Sequence, residues 1–542
     1  MPATHEVTNQ APPRVGLDEF ATNAALVDGV ARHDAGWAGE RLHAAGALVG
    51  SAEFQADAAS ANRCEPVLAA FDRYGDRIDE VVYDESYHRI IGAAIADGAH
   101  TGAWAAPRPG ANVARAAAFM LYAQVEPGHA CPVSMTHSAW PVIARQGGAI
   151  AAEWLPRLAS TEYDGRLVPG KPGALFGMAM TEKQGGSDVR ANTTRALPAG
   201  DGTYALTGHK WFCSAPMSDA FLVLAQAPGG LSCFLVPRLL PDGTRNAFRI
   251  QRLKDKLGNR ANASSEIELE DTVGLLLGEE GRGVRTIIDM VQQTRLDCIL
   301  GSAAGMRQAT AEAAWHARHR SAFGARLIAQ PAMTAVVADL QLETEAAIAA
   351  ALRLARAEDE DADGQERAFR RLATPVTKYW VCKRGPGHAA EALECLGGNG
   401  YTEAFPLAMR YREQPVMAVW EGSGNVIVLD VLRALRREPE TIAAFEAEVS
   451  IAAGADPRLD AHLERTRRLV RDALASDEPA ARARELVAAL ALALQASLLV
   501  RHAPPAVADG FVAARIGEGA GSGHLYGALP TGVDAAGIAS RA

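Results

Sequence analysis

Three textures follow one another along this 542-residue chain, and their order restricts it to few architectures. From Leu17 to about Pro169 the sequence is rich in alanine. Its apolar residues recur at helical spacing, as from Val113 to Tyr122, with breakers such as Pro107-Arg-Pro-Gly110 between segments. Near Gly173 short alternating runs take over: Tyr204 to Thr207, Phe221 to Ala225, Leu231 to Val236, and the strict alternation of Glu266-Ile-Glu-Leu-Glu270. After Gly283 helical spacing returns and lasts to about Arg437, with long segments at Met333 to Ala357 and Ala373 to Leu396, the second stopped by Gly397-Gly398. The Glu-Pro-Glu stretch after Arg437 and Ala-Gly-Ala-Asp-Pro457 then mark a junction before a last alanine-rich helical unit. These textures predict a multidomain α+β protein: a helical domain over 1–172, a β domain over 173–284, helices over 285–440 and an extra helical region over 441–542. No internal repeat stands out, and the Gly- and Ala-rich end is expected to be poorly ordered.

With 48% hydrophobic and 22% charged residues, the chain can build several packed cores and bury a cofactor. Its formal charge of -10 disfavours nonspecific attraction to phosphate backbones or anionic membranes. Seven scattered cysteines, with no CxxC pair, suggest neither a disulfide framework nor a metal site. The first residues lack a signal-peptide pattern. The longest apolar run, Leu486 to Val500, falls short of the ~20 residues needed to span a bilayer, so a cytoplasmic protein without membrane insertion is expected.

Chemistry is concentrated in a few segments. Phe176 to Asp188 is an apolar strand running into Thr181 and a loop with Gly185, Gly186 and Ser187. Backbone amides freed by glycine, beside small hydroxyls, suit a pyrophosphate or the polar edge of a flavin; an ordinary polar turn has the same composition. Thr207-Gly-His-Lys-Trp-Phe-Cys-Ser214 is a second strand ending in aromatics and a hydroxyl, where Trp211 and Phe212 also fit a plain β-domain core.

The ordered set T-E-x-x-x-G-S-D, then G-x-K-x-x-x-S, then Lys256-Leu-Gly-Asn-Arg260 resembles the flavin-binding middle domain of the acyl-CoA dehydrogenase superfamily. Arg320-Ser-Ala-Phe-Gly324 with Gln330, Glu394-Cys-Leu-Gly-Gly-Asn-Gly-Tyr401, and Val419-Trp-Glu-Gly-Ser-Gly-Asn425 resemble later elements of that family, in its order. The resemblance implies an N-terminal α-helical domain, a middle β-barrel and a C-terminal α-helical bundle, with FAD between barrel and bundle. It implies Met178, Met180, Thr181, Gly186, Ser187, Phe212 and Ser214 at the flavin and its phosphates. Arg320, Phe323 and Gln330 would reach the cofactor of a neighbouring subunit, Gly397 and Gly398 would lie near its adenine end, and Trp420, Ser423 and Asn425 would flank the base. Where family members often have Gln, this chain has Glu394.

The base so implied is Glu421. Dehydrogenating an acyl thioester requires removal of a weakly acidic Cα proton while a hydride leaves Cβ, and a buried glutamate whose pKa is raised toward neutrality suits that task. Some relatives carry the base just before the residue that is Arg295 here, but that position is Thr294, which is no carboxylate. The expected partners are an acyl-CoA thioester, an electron-transfer flavoprotein or oxygen as acceptor, and three further copies in a homotetramer.

His5 to Gln10, Met180 to Val189, Trp420 to Asn425 and the added C-terminal region resemble the alkylation-response AidB branch, which implies double-stranded DNA as a further partner and weak dehydrogenation. Residues 441–542 carry ten Arg and no Lys against twelve Asp and Glu, a balance of -2, so the region is not basic overall. Candidate phosphate contacts are Arg433 and Arg437 at one helix end, and Arg465, Arg467, Arg468 and Arg471 on another; both groups also fit solvated helix faces.

Overall fold

The computed structural model describes residues 4–517 and 525–542. The helices of its first part are α1 (Ala24–Arg32), α2 (Gly39–Val49), α3 (Ala52–Arg63), α4 (Glu85–Ala96), α5 (Gly102–Ala105), α6 (Ala111–Ala123), α7 (Ala130–Gln146) and α8 (Gly148–Ala159). Strands are β1 (Val67–Phe71), β2 (Arg77–Val82), β3 (Phe176–Ala179), β4 (Arg195–Pro198), β5 (Thr203–Ser214), β6 (Ala220–Ala227), β7 (Gly230–Pro237), β8 (Phe248–Leu253) and β9 (Ser264–Leu277). The long α9 (Gly283–His319) leads through the small hairpin β10 (Ser321–Ala322) and β11 (Ala325–Arg326) to α10 (Pro331–Arg356) and α11 (Gly364–Glu394). Then follow α12 (Leu407–Met417), α13 (Gly424–Arg437), α14 (Pro439–Ser450), α15 (Pro457–Ala475), α16 (Ala483–His502), α17 (Pro505–Arg515) and α18 (Ala535–Ala539). Close contacts divide the chain into two compact units: 53–107 with 126–297, and 1–52 with 108–125 and 298–542.

The first unit is built on a barrel. β6 pairs with β4, β4 with β5, β5 with β9, β9 with β7, and β7 returns to β6, so the ring closes, with β3 paired to β6 and β8 to β9. Closure leaves these five strands without a bare edge. Inward-facing Phe221, Phe234, Phe248, Ile267 and Leu269 fill the interior, and Phe221 stacks on Phe248 with centroids 4.9 Å apart. One element departs from the all-helical N-terminal expectation: β1 and β2 form an antiparallel hairpin. Leu68 and Val81 pack on the barrel core, and Arg77 donates to the Ile250 carbonyl at 2.7 Å. Hairpin pairing and packing on the barrel override the alanine-rich composition between Val67 and Phe71 there.

The second unit packs the end of α9, α10, α11, α12 and α13 with α1, α2 and α6. Asp359 caps α6 by accepting from the Gly110 and Asn112 amides at 2.9 and 2.8 Å. The helices after residue 441 belong to the same unit and are tied in by buried charge. Arg353 of α10 bridges Glu366 of α11 and Glu448 of α14, and Glu448 also takes Arg501 of α16. From α17, Arg515 reaches Asp339 and Glu343 of α10, and Arg541 holds Glu345 at 2.7 Å.

Two expectations about this region change. Helix α18 and the Arg541–Glu345 pair fix the last residues, which are therefore not loose; the Gly-rich 518–524 part of that expectation lies outside the described residues, as do 1–3. Together with the turn before it, α16 forms a 24-residue helical stretch, Pro479–His502, long and apolar enough to cross a bilayer. The helix exceeds the apolar run because Ala-rich flanks extend it, and most of its apolar window is buried inside the unit.

Burial by itself would raise the Glu343 carboxyl, but Arg384 and Arg515 bring it down to about 2. A carboxyl depressed in the folded state contributes stability above its unfolded pKa of about 4.3, and that contribution is lost as pH falls through about 2. Arg515→Met should therefore destabilise the protein by about 3–5 kcal/mol at neutral pH, because it strands buried carboxylates. It should also flatten the loss of melting temperature between pH 5 and 2, checked by thermal unfolding across that range.

Candidate functional site

On the barrel unit, the loop after β3 docks on β5. The Thr181 carbonyl accepts from the Trp211 amide at 2.8 Å, and the Met180 carbonyl accepts from the Asn192 side chain at 2.8 Å. Gly186 lies against the Thr181 hydroxyl, where a β-carbon would collide with it, so the loop needs glycine for closeness. Met178, Met180, Thr181, Gly186 and Ser214 are half-buried, and Ser187 is exposed. Phe212 is 53% exposed on the barrel rather than part of its core. Lys254 lies 3.3 Å from the Trp211 ring centroid and 4.7 Å from that of Phe212, and it pairs with Glu266 at 2.7 Å.

The two motifs that meet here are joined by a fully buried ion pair. Lys210 donates to Glu182 at 2.8 Å and to the Leu224 carbonyl at 2.7 Å. Glu182 also accepts from the Thr193 amide and hydroxyl and from the Thr194 amide. Burial pushes Glu182 upward, yet Lys210 and these donors hold it well below the usual carboxylate range. The E of T-E-x-x-x-G-S-D and the K of G-x-K-x-x-x-S are thus one structural pair, which spacing alone does not reveal.

On the bundle unit, Arg320 donates to the Asn9 carbonyl at 2.7 Å, while the Asn9 side chain exchanges two 2.8 Å hydrogen bonds with the Ser321 backbone. Gln330 braces the β10–β11 hairpin by donating to the Ala322 carbonyl at 2.8 Å. At the hairpin tip Phe323 is 97% exposed with φ +50°. Gly397 and Gly398 are exposed in the turn after α11, where Gly397 has φ +59°.

Glu421 lies in the short link between α12 and α13, half-buried, with φ +58° in the left-handed region that side chains other than glycine's disfavour; Gly422 follows at +102°. From the middle of α11, Lys378 donates to the Trp420 carbonyl at 2.8 Å and to the Gly422 carbonyl at 2.7 Å. Trp420 packs on Cys298, Cys382 and Met417, and its indole N–H is buried without an acceptor among the described residues. Ser423 caps α13 without a side-chain bond, and the Asn425 side-chain oxygen is taken by Arg484 of α16 at 2.7 and 3.0 Å. Thr294, the alternative base position, donates its hydroxyl to the Met290 carbonyl of its own helix. Sequence reasoning assigns no role to Lys378, whose one signal is a lysine amid the apolar Pro375-Val-Thr-Lys-Tyr-Trp-Val-Cys382 run, nor does it show the bonds made by Asn9, within the His5 to Gln10 segment, and by Arg484, counted only as charge.

The candidate phosphate-binding arginines are only partly available. Arg465 pairs with Glu485 at 3.2 Å, Arg467 pairs with Glu464, and Arg433 lies 3.8 Å from Asp430. Arg437, Arg468 and Arg471 are exposed and take no ion pair among the described residues.

A closed barrel and a helical bundle, each carrying part of one motif set, define the class of acyl-CoA dehydrogenase-like flavoproteins. Family models agree: the adaptive response protein AidB N-terminal domain matches residues 9–165, the acyl-CoA dehydrogenase middle domain 177–272, and its C-terminal domain 281–436. AidB of Escherichia coli, a putative acyl-CoA dehydrogenase by name, is 49% identical over 438 residues, covering 80% of this chain and 81% of that protein. The chain therefore belongs to the acyl-CoA dehydrogenase superfamily, in its AidB-like branch. Caenorhabditis elegans ACDH-11, solved in complex with C11-CoA, superposes with TM-score 0.86 at 25% identity, covering 95% of this chain and 93% of its own. A Bacillus anthracis acyl-CoA dehydrogenase complexed with FAD shares the fold, with TM-score 0.64 at 18% identity over 80% of this chain and 77% of that one.

Lys210→Met should leave Glu182 as an unpaired buried charge and cost about 3–5 kcal/mol, while the double variant Lys210→Met/Glu182→Gln should recover part of that loss. Thermal unfolding of both variants checks this. A single variant melting with the wild type would remove the pair as the anchor of the loop.

Proposed function

We propose that this protein is an FAD-dependent α,β-dehydrogenase of an acyl-CoA thioester, with Glu421 as the base that removes the Cα proton. The observation that carries the reading is the left-handed backbone at Glu421. Strain of this kind, of order 1–3 kcal/mol, persists where surrounding structure over-determines it, and such places concentrate at functional sites.

FAD is the cofactor, and the residues present fit it. An exposed Phe212, with the Ser214 hydroxyl two residues on and Thr181 bonded to the neighbouring Trp211 amide, suits the face and edge of a planar ring. When bound, FAD supplies the acceptor for the hydride that leaves Cβ. The protein's own share is to take the Cα proton onto a Glu421 carboxylate oxygen and to keep water from the reacting carbons. The C11-CoA complex of the ACDH-11 relative supports an acyl-CoA substrate. Electrons would pass on to an electron-transfer flavoprotein or to oxygen. The bare Phe323 supports assembly into a homotetramer, where a neighbouring copy would cover it.

The purified protein should be yellow, and anaerobic titration with acyl-CoA thioesters from butyryl-CoA to dodecanoyl-CoA should bleach it. Bleaching should vanish in Glu421→Gln while the flavin spectrum stays. A colourless protein, or an unaffected Glu421→Gln, would overturn the reading.

The exposed pair Arg468 and Arg471 supports a second role, weak binding of duplex DNA alongside feeble dehydrogenation. Each phosphate neutralised by an arginine adds about 0.9 to the steepness with which log affinity falls against log salt. Arg468→Gln/Arg471→Gln should therefore flatten that slope by about two per binding face, measured by fluorescence anisotropy with a labelled duplex. An unchanged slope would exclude this pair.

A further inference from the structure

We infer that Lys378 is a positioning residue for Glu421, holding the main chain on both sides of that carboxylate in the one conformation that aims it. The role rests on the base assignment proposed above, but the geometry behind it is independent of substrate.

Lys378 is 1% exposed, in the interior of α11. Buried ammonium groups are normally matched by carboxylates, because desolvating a lone charge is expensive. This one instead takes two main-chain carbonyls as acceptors, those of Trp420 and Gly422, at 2.8 and 2.7 Å. These residues bracket Glu421. At φ +58° followed by +102°, the chain turns so that the carbonyls before and after Glu421 converge on one point, and Nζ occupies it. A single N–H cannot serve both oxygens well; a tetrahedral ammonium with three N–H groups can.

The same helix fixes the rest of the link. Cys382, one turn beyond Lys378, belongs to the cluster with Cys298 and Met417 that Trp420 packs against, so α11 contributes to holding both the side chain and the carbonyl of that residue. At Gly424 a β-carbon would come within 2.5 Å of Lys383 Cε, so the start of α13 lies directly on α11. Neither contact reaches the torsion at Glu421. Lys378 bonds the carbonyls on both sides of it. Without it, Glu421 would relax toward the allowed β or αR regions and its Cα–Cβ bond would swing away. A mere space-filling lysine would have no reason to pick these two oxygens.

The decisive test is a double-mutant cycle on the purified, FAD-loaded protein, read as melting midpoints of wild type, Lys378→Met, Glu421→Gly and Lys378→Met/Glu421→Gly. Glycine accepts φ +58° without strain. Removing the clamp lets a strained Glu421 relax, which offsets part of the loss, so Lys378→Met should lower the midpoint by several degrees in the Glu421→Gly background and by clearly less when Glu421 is present. Equal shifts in the two backgrounds would overturn the inference. If Lys378→Met does not fold, Lys378→Gln, which keeps a neutral donor, carries the same comparison.

A second arm uses undecanoyl-CoA as the probe. Misplacing the base by about 1 Å should slow anaerobic flavin bleaching about 100-fold in Lys378→Met, with the half-saturating probe concentration little changed. An unchanged rate constant would overturn positioning even with Glu421 established as the base. Failure of the dehydrogenase reading shows differently: bleaching that survives Glu421→Gln. The cycle needs no substrate, so it decides the clamp in either case.

Discussion

A glutamate sits where the backbone favours glycine, and a buried lysine of the bundle unit bonds the main chain on both sides of it. The left-handed conformation at Glu421 costs roughly 1–2 kcal/mol relative to an unstrained torsion. A single charge-assisted hydrogen bond contributes about 1.5–3 kcal/mol, so the two from Lys378 are enough to outweigh that strain. Lys378 can sit in the interior only because α11 is long and its neighbours are fixed. Ion pairs hold α11 to α10 and to α13, and Glu448 of α14 shares the arginine that binds it. Local strain at one residue is therefore supported by charge pairs distributed through the whole unit.

The barrel unit solves a related problem by a different route. Its loop after β3 must keep backbone close to its neighbours, as Gly186 against Thr181 does, and must also stay in place without a regular strand partner. Glu182 meets this by collecting Lys210 and the donors of Thr193 and Thr194 at one carboxylate. With each of these groups satisfied, the buried pair is tolerated; with one removed, the rest become a liability. Carbonyls bind the cation in one unit and a carboxylate binds it in the other, and in both the buried lysine orders a loop rather than a core.

Periodicity was sufficient for the architecture. The alternation of Glu266 to Glu270 lies in β9, and the spacing from Met333 and from Ala373 lies in α10 and α11. It failed at β1, where the alanines between Val67 and Phe71 continue the helical composition of the region while the segment pairs with β2 and packs Leu68 on the barrel. Motif order brought out Thr181, Phe212, Arg320 and Glu421 but not what holds them. The Asn9 to Ser321 bonds join residues 312 apart, and Arg484 reaches Asn425 across 59. Nothing local marks such pairs, since a polar residue reads as solvated until its partner is known. Lys378 was visible as an anomaly, a charge inside an apolar run, without any sign of its acceptors.

The C-terminal arginines show how a charge count misleads in either direction. Of the ten in 441–542, Arg501, Arg515 and Arg541 are committed to Glu448, Asp339 with Glu343, and Glu345. Pairs so placed cannot be released to a phosphate without stranding carboxylates. Arg458, Arg465, Arg467 and Arg482 pair with more exposed acids, where an ion pair is worth only about 0–1 kcal/mol and a phosphate could compete for the guanidinium. Arg484 is engaged at Asn425, beside the link that carries Glu421. The region's arginines are thus divided among clamping the bundle, bracing the start of α13 and facing solvent, and the last group, centred on Arg468 and Arg471, is the most open to an anion. The exposed Arg468 and Arg471 lie on α15, while Arg484 of α16 is taken by Asn425 of α13, so the solvent-facing and the engaged arginines lie on different helices of one region.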